Sequence, residues 1–174
     1  ALLVVAEISI SSRMALLARR GWGISLGEAN TWLALYFVAM TASRLAIGLF
    51  RFSFSAKQLL WFALLFGFPF LIFGLLPLGF SSETRLMWLV GFGFPIAMGY
   101  PLAMTRLAEI FGARAQSVTS LCLIIQSLGA MIMHFTLGWG ADLLGLSTVL
   151  GIVSIGSLAA AVVVFSSLER AVRE

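Results

Sequence analysis

An all-α membrane protein of six transmembrane helices is the fold class this sequence predicts, and three observations predict it. Of the 174 residues, 61% are hydrophobic and only 10% are charged, with a mean hydropathy of +1.07. A soluble domain carries about 25% charged residues, so this composition leaves too little polar surface to face water. The apolar residues gather into six runs, which are measured against the roughly 20 residues a helix needs to cross a bilayer. The basic residues, finally, fall mostly in the gaps between those runs.

The first run, residues 1–18, is apolar from its first residue, with no methionine, basic segment or cleavage site ahead of it. It reads as a span cut short, so that a preceding part of the chain is expected to be missing. The second run covers 30–50 and the third 58–79, closing at Pro77 and Gly79. The fourth covers 86–107, the fifth 117–140 and the sixth 147–167. Every gap is too short for a soluble domain, so residues 1–174 are expected to form one bundle.

The net charge of +4 comes from arginine, with Lys57 the only lysine. Positive residues in short inter-span gaps set topology rather than bind nucleic acid. Arg51, Lys57, Arg106, Arg114, Arg170 and Arg173 fall on one side, and Arg19, Arg20 and Arg85 on the other. The positive-inside rule then places the C-terminus in the cytoplasm of a multi-pass protein of a plasma or bacterial inner membrane. The lone Cys122 forms no intrachain disulfide.

Polar residues inside apolar runs are the candidates for function, because hydrocarbon tolerates them poorly. Thr41, Arg44, Gly48 and Arg51 share one helical face, and Gly48 would let a neighbouring helix approach closely. Glu7, in the first run, either contacts substrate or a proton, or pairs with a basic residue on another helix. His134 is the only histidine and suits proton handling, with Gln126 two turns earlier. Its alternative role is a hydrogen bond to a neighbouring carbonyl, and no second ligand-type residue beside it suggests a metal. The fourth run reads Gly91-Phe-Gly-Phe-Pro-Ile-Ala-Met-Gly-Tyr-Pro101, a pattern expected to kink, with Tyr100 placed to line a cavity. Arg106, Glu109 and Arg114 form a mixed-charge gap that could latch one face or simply be a solvated turn. Asp142 is expected to cap the next helix. No catalytic pair, P-loop or His-Glu-x-x-His segment points to an enzyme, and no cofactor is implied.

Six spans, a basic gap after the second and a Gly/Pro-rich fourth resemble the C-terminal half of a major facilitator superfamily transporter. Ala42-Ser-Arg-Leu-Ala-Ile-Gly-Leu-Phe-Arg51 looks like the family's Gly-Arg-Leu-x-x-Gly segment, with Ser43 where Gly is usual. Leu128-Gly-Ala through Gly138-Trp-Gly-Ala-Asp142 looks like its eleventh helix, with His134 where many members have proline. Ala6-Glu-Ile-Ser-Ile-Ser-Ser-Arg13 is similar to the seventh helix of sugar-type members, including the fucose–galactose–proton symporter branch.

The resemblance implies half of a twelve-helix bundle built from a 3+3 inverted repeat, moving a small solute by alternating access. It implies proton coupling, with sugars among the solutes, and a missing N-terminal half as partner. Glu7, Tyr100, Gln126 and His134 would bind substrate, and Arg44, Gly48, Arg51, Arg106, Glu109, Arg114 and Asp142 would gate or support. An offset of about 90 residues, which sets Arg44 opposite His134 and Gly48 opposite Gly138, is what such a repeat predicts. The competing expectation is a complete six-span protein, acting as a homo-oligomeric channel or an accessory subunit.

Overall fold

The computed structural model describes residues 2–49, 55–76 and 78–171, and every regular element among them is helical. Helix α1 spans Leu2–Leu16 and runs into a π-helical turn, Leu17–Gly21. There follow α2 (Leu26–Leu49), α3 (Ala56–Leu75), α4 (Ser82–Phe111), α5 (Ala115–Leu144) and α6 (Leu146–Ala171). A 3-10 turn, Gly112–Arg114, joins α4 to α5.

Four stretches are long and apolar enough to cross a membrane: Leu26–Leu49, Ala56–Leu75, Ser82–Leu144 and Leu146–Ala171. The third, 63 residues long, contains both α4 and α5. At 15 residues α1 is shorter than a full span. Helices of this kind are those of a multi-pass protein embedded in a membrane.

Several helices outrun the apolar segments read from sequence because polar residues cap them. Ser55 and Gln58 form a reciprocal capping box that starts α3 at Ala56. Ser81 accepts the Thr84 backbone N–H and starts α4 at Ser82. Gly112 and Gly145, at φ of 50° and 80°, close α4 and α5 in a conformation other residues adopt at a cost. Asp142 lies inside the last turns of α5, short of this break, and no hydrogen bond from it caps α6 among the described residues. Helix α4 stays continuous through Pro95 and Pro101. Pro77, Arg51 and Arg173 lie outside the described residues.

Helix α1 runs antiparallel to α6, with Leu3 near Phe165 and Leu168 at one end and Leu16 near Leu146 at the other. The first end, which carries Lys57, Arg106 and Glu169, is called the tail end below; Arg20, Arg85 and Asp142 mark the opposite end. Helix α4 packs on α2 and α3, while α6 packs on α1, α3 and α5. Leu64 and Leu71 of α3 and Leu89, Phe92 and Ile96 of α4 are fully buried in the core. Lipid tails are as apolar as leucine, so close backbone approach has to hold such helices together. Gly93 provides one such approach: a Cβ there would sit 2.9 Å from the Tyr36 carbonyl oxygen. Across the α1–α6 contact the buried hydroxyls of Ser9 and Ser154 hydrogen-bond at 2.6 Å.

Arg85 secures the opposite end. Its Nε donates to the Gly74 carbonyl at 3.2 Å and its Nη2 to the Leu75 carbonyl at 2.6 Å, satisfying the end of α3. The guanidinium also stands 4.4 Å from the centre of the Trp22 ring. Ser147 of α6 donates to the same Leu75 carbonyl at 3.0 Å. A residue read from sequence as a topology marker thus joins three parts of the bundle.

Candidate functional site: a polar cleft on the bundle flank

Glu7 on α1 and Arg44 on α2 meet, with Arg44 Nη2 donating to Glu7 Oε1 at 3.3 Å. Both occupy predominantly apolar helices, with only hydroxyl side chains such as Ser9, Ser11, Thr41 and Ser43 near them in sequence. The Glu7 side chain is 14% exposed and that of Arg44 52%. The pair therefore forms the wall of an opening rather than a sealed interior bridge. Tyr100 and Pro101 of α4 and Gln126 of α5 complete the opening, a cleft of about 430 Å³ floored by Val4 and Ile8.

This cleft brings together three of the four residues expected to bind substrate, Glu7, Tyr100 and Gln126, and adds Arg44, expected to gate or support. The alternative raised for Glu7, pairing with a basic residue on another helix, is realised in the same geometry. Pro101 has no N–H to give the carbonyl four residues back, which leaves α4 a weakened backbone ladder beside the cleft.

His134 lies elsewhere. It is exposed on α5, whose buried edge is Met133, Leu137 and Gly140. Eight residues separate it from Gln126, about 80° around the helix, so one faces the cleft and the other does not. Gly48 has no atom within 4 Å of where its Cβ would stand, so no helix packs there among the described residues. Among those residues no three His, Cys, Asp or Glu side chains come together.

Sequence reasoning missed Tyr36. It is wholly buried on α2, and among the described residues its hydroxyl has no hydrogen-bond partner. Ser43, seven residues on and on the same face, likewise holds a buried hydroxyl with no partner among them. Unpaired hydroxyls are costly inside a protein, and two on the face beside Arg44 mark a polar seam. The available signal was a tyrosine two turns from an intramembrane arginine.

A second cluster occupies the tail end. Glu169 of α6 receives Lys57 Nζ at 2.6 Å, Arg106 Nε at 2.7 Å and Arg106 Nη2 at 3.0 Å. Arg106 also reaches Glu109 at 3.0 Å, one turn along its own helix. Arg106 and Glu109 of the mixed-charge gap do pair, but the centre of the cluster is Glu169, whose carboxylate ties α3, α4 and α6 together. Arg114 is exposed on the 3-10 turn, away from these bonds. Asp142 is exposed at the opposite end.

No protein-family model, curated protein or solved structure matches this chain.

Proposed function

We propose that this chain is one half of a secondary transporter of the major-facilitator type. It would carry a small solute by alternating access, coupled to protons, with sugars the first solutes to test. Glu7, Arg44, Tyr100 and Gln126 line the solute path in this reading, and the tail end faces the cytoplasm.

The observation that carries the reading is the Glu7–Arg44 pair on an open flank. A charged pair in hydrocarbon is expensive, so residues like these face a bundle interior or a watered cavity. The flank that bears them is not covered by this chain's own helices. A second six-helix half would cover it and leave the cleft at the interface, where transporters built from repeats bind their solutes. The packing adds support. Exchanging α1 with α4, α2 with α5 and α3 with α6 maps the α1–α5 contact onto α4–α2 and α1–α6 onto α4–α3. The α5–α6 contact has no equally strong α2–α3 counterpart.

Two measurements test the reading. In a Cys122→Ser background, Gln126→Cys should react with a membrane-impermeant maleimide in sealed vesicles, and a cysteine replacing Val38 should not. Glu7→Gln should alter solute uptake while leaving insertion intact; unchanged uptake removes Glu7 from the path. The same uncovered flank also favours a second reading, a homo-oligomer in which another copy covers the cleft. Cross-linking through Gln126→Cys between copies would support that reading against the first.

A further inference from the structure

A separate feature lies at the opposite end, away from the Glu7–Arg44 cleft and independent of the transport reading. Two depressions there border the same three residues, Gly21, Ser147 and Thr148, and so adjoin as the two parts of a furrow. The first, about 510 Å³, lies between the end of α1 and the α5–α6 turn, with Arg13, Arg20 and Asp142 in its wall. The Nε of Arg13 is buried and has no hydrogen-bond partner among the described residues. Arg20 is exposed, and none of the ion pairs among the described residues includes Arg13 or Arg20. With Asp142 the only acid in this wall, the balance is one net positive charge.

The second depression, about 600 Å³, continues along the outside of α6 over Gly151, Ile152, Ile155 and Gly156. Gly151 and Gly156 hold it open, since a Cβ at either would meet nothing within 4 Å. From Thr148 to Gly156 the furrow descends about 12 Å along the helix, most of the roughly 15 Å of hydrocarbon in one leaflet. Arg85 and Trp22 stand at its head. The furrow therefore has a cationic mouth and an apolar channel leading inward, the two halves of a phospholipid's own profile.

We propose that this furrow binds a diacyl phospholipid with a net negative headgroup. The headgroup sits at Arg13 and Arg20, with the exposed Thr148 hydroxyl beside it, and one acyl chain lies over Gly151 and Gly156. Charge selects the occupant: a zwitterionic lipid brings no net charge to match the arginines, and a free anion leaves the apolar furrow unfilled. One net positive charge near an anionic lipid is worth about a fivefold preference, so an anionic headgroup is favoured about fivefold over a zwitterionic one.

Trp22, in the furrow wall, reports occupancy directly. The protein is reconstituted in phosphatidylcholine vesicles carrying phosphatidylglycerol or phosphatidylcholine with brominated acyl chains, and quenching is read as the difference from Trp22→Phe. Brominated phosphatidylglycerol should quench Trp22 at far lower mole fraction than brominated phosphatidylcholine. Arg13→Gln with Arg20→Gln should abolish that preference. Arg19→Gln, which removes one charge next to Arg20 but outside the furrow, should leave it intact. Gly156→Leu, which fills the furrow without touching charge, should weaken quenching by both lipids.

Equal quenching by the two lipids in the unaltered protein overturns the proposal, without any variant having to fold. So does an equal loss in Arg19→Gln, which would mean diffuse surface charge. Displacement by millimolar inorganic phosphate would instead identify a small-anion site and exclude the lipid, and unchanged quenching in Gly156→Leu would remove the acyl chain from the furrow.

Discussion

Replacing Glu169 by glutamine tests whether the tail-end cluster holds the bundle together. The carboxylate accepts three bonds from two cations on two other helices, at 2.6, 2.7 and 3.0 Å. Its side chain is 8% exposed, against 19% for Arg106 and 29% for Lys57. Breaking a buried pair by removing one partner costs about 3–5 kcal/mol, because the other charge is left uncompensated. Here Lys57 can turn towards water and Arg106 keeps Glu109, so the expected loss is about 2 kcal/mol. Glu109→Gln supplies the contrast. That side chain is 48% exposed and pairs only along its own helix, so its loss should cost no more than about 0.5 kcal/mol. Both variants are measured by denaturation in mixed micelles, with a double-mutant cycle against Arg106→Gln. A coupling energy for Arg106–Glu169 no larger than that for Arg106–Glu109 would refute the reasoning.

Other expectations follow from particular contacts. Gly93→Ala should destabilise by about 1–3 kcal/mol, since its Cβ would meet the Tyr36 carbonyl at 2.9 Å and backbone cannot swing aside. Gly138→Ala, where nothing lies within 4 Å, should be neutral or slightly stabilising in the same melt. Tyr36→Phe removes a buried hydroxyl with no partner and should leave stability unchanged or raise it by about 1 kcal/mol. A fall in uptake alongside that gain would identify the hydroxyl as a solute contact. His134→Gln should leave uptake unchanged, because the side chain is exposed on α5 away from the cleft.

Composition and the placement of arginines made the helical membrane class legible, because hydrocarbon restricts so strongly which residues can line a helix. Helix ends were less legible, since Ser55, Ser81, Gly112 and Gly145 act through backbone geometry that hydropathy does not register. Within the candidate site, Glu7 and Arg44 stood out as charges in apolar runs, yet nothing local says that residues 37 positions apart will meet. Helix packing decides that, as it decides that Gln126 turns towards the cleft and His134 does not. Glu169 was overlooked because a glutamate in a charged tail looks solvated; only the fold brings Lys57 and Arg106 to it. Tyr36 went unseen because the missing hydrogen bond that marks it is a property of its surroundings.

The way α5 is attached has a mechanical consequence. Its only buried residues among those described, Met133, Leu137 and Gly140, lie in its C-terminal half, where Gly140 seats against Val149. The preceding 18 residues, Ala115 to Ile132, contain none, so a lever about 27 Å long extends from a short anchored segment. A ten-degree tilt about that anchor would displace the far tip by about 5 Å, and it would have to part the contacts of α5 with α1 and α4, Gly129 against Val5 among them. Gln126 rides on this segment, so any such tilt would change the width of the Glu7–Arg44 cleft.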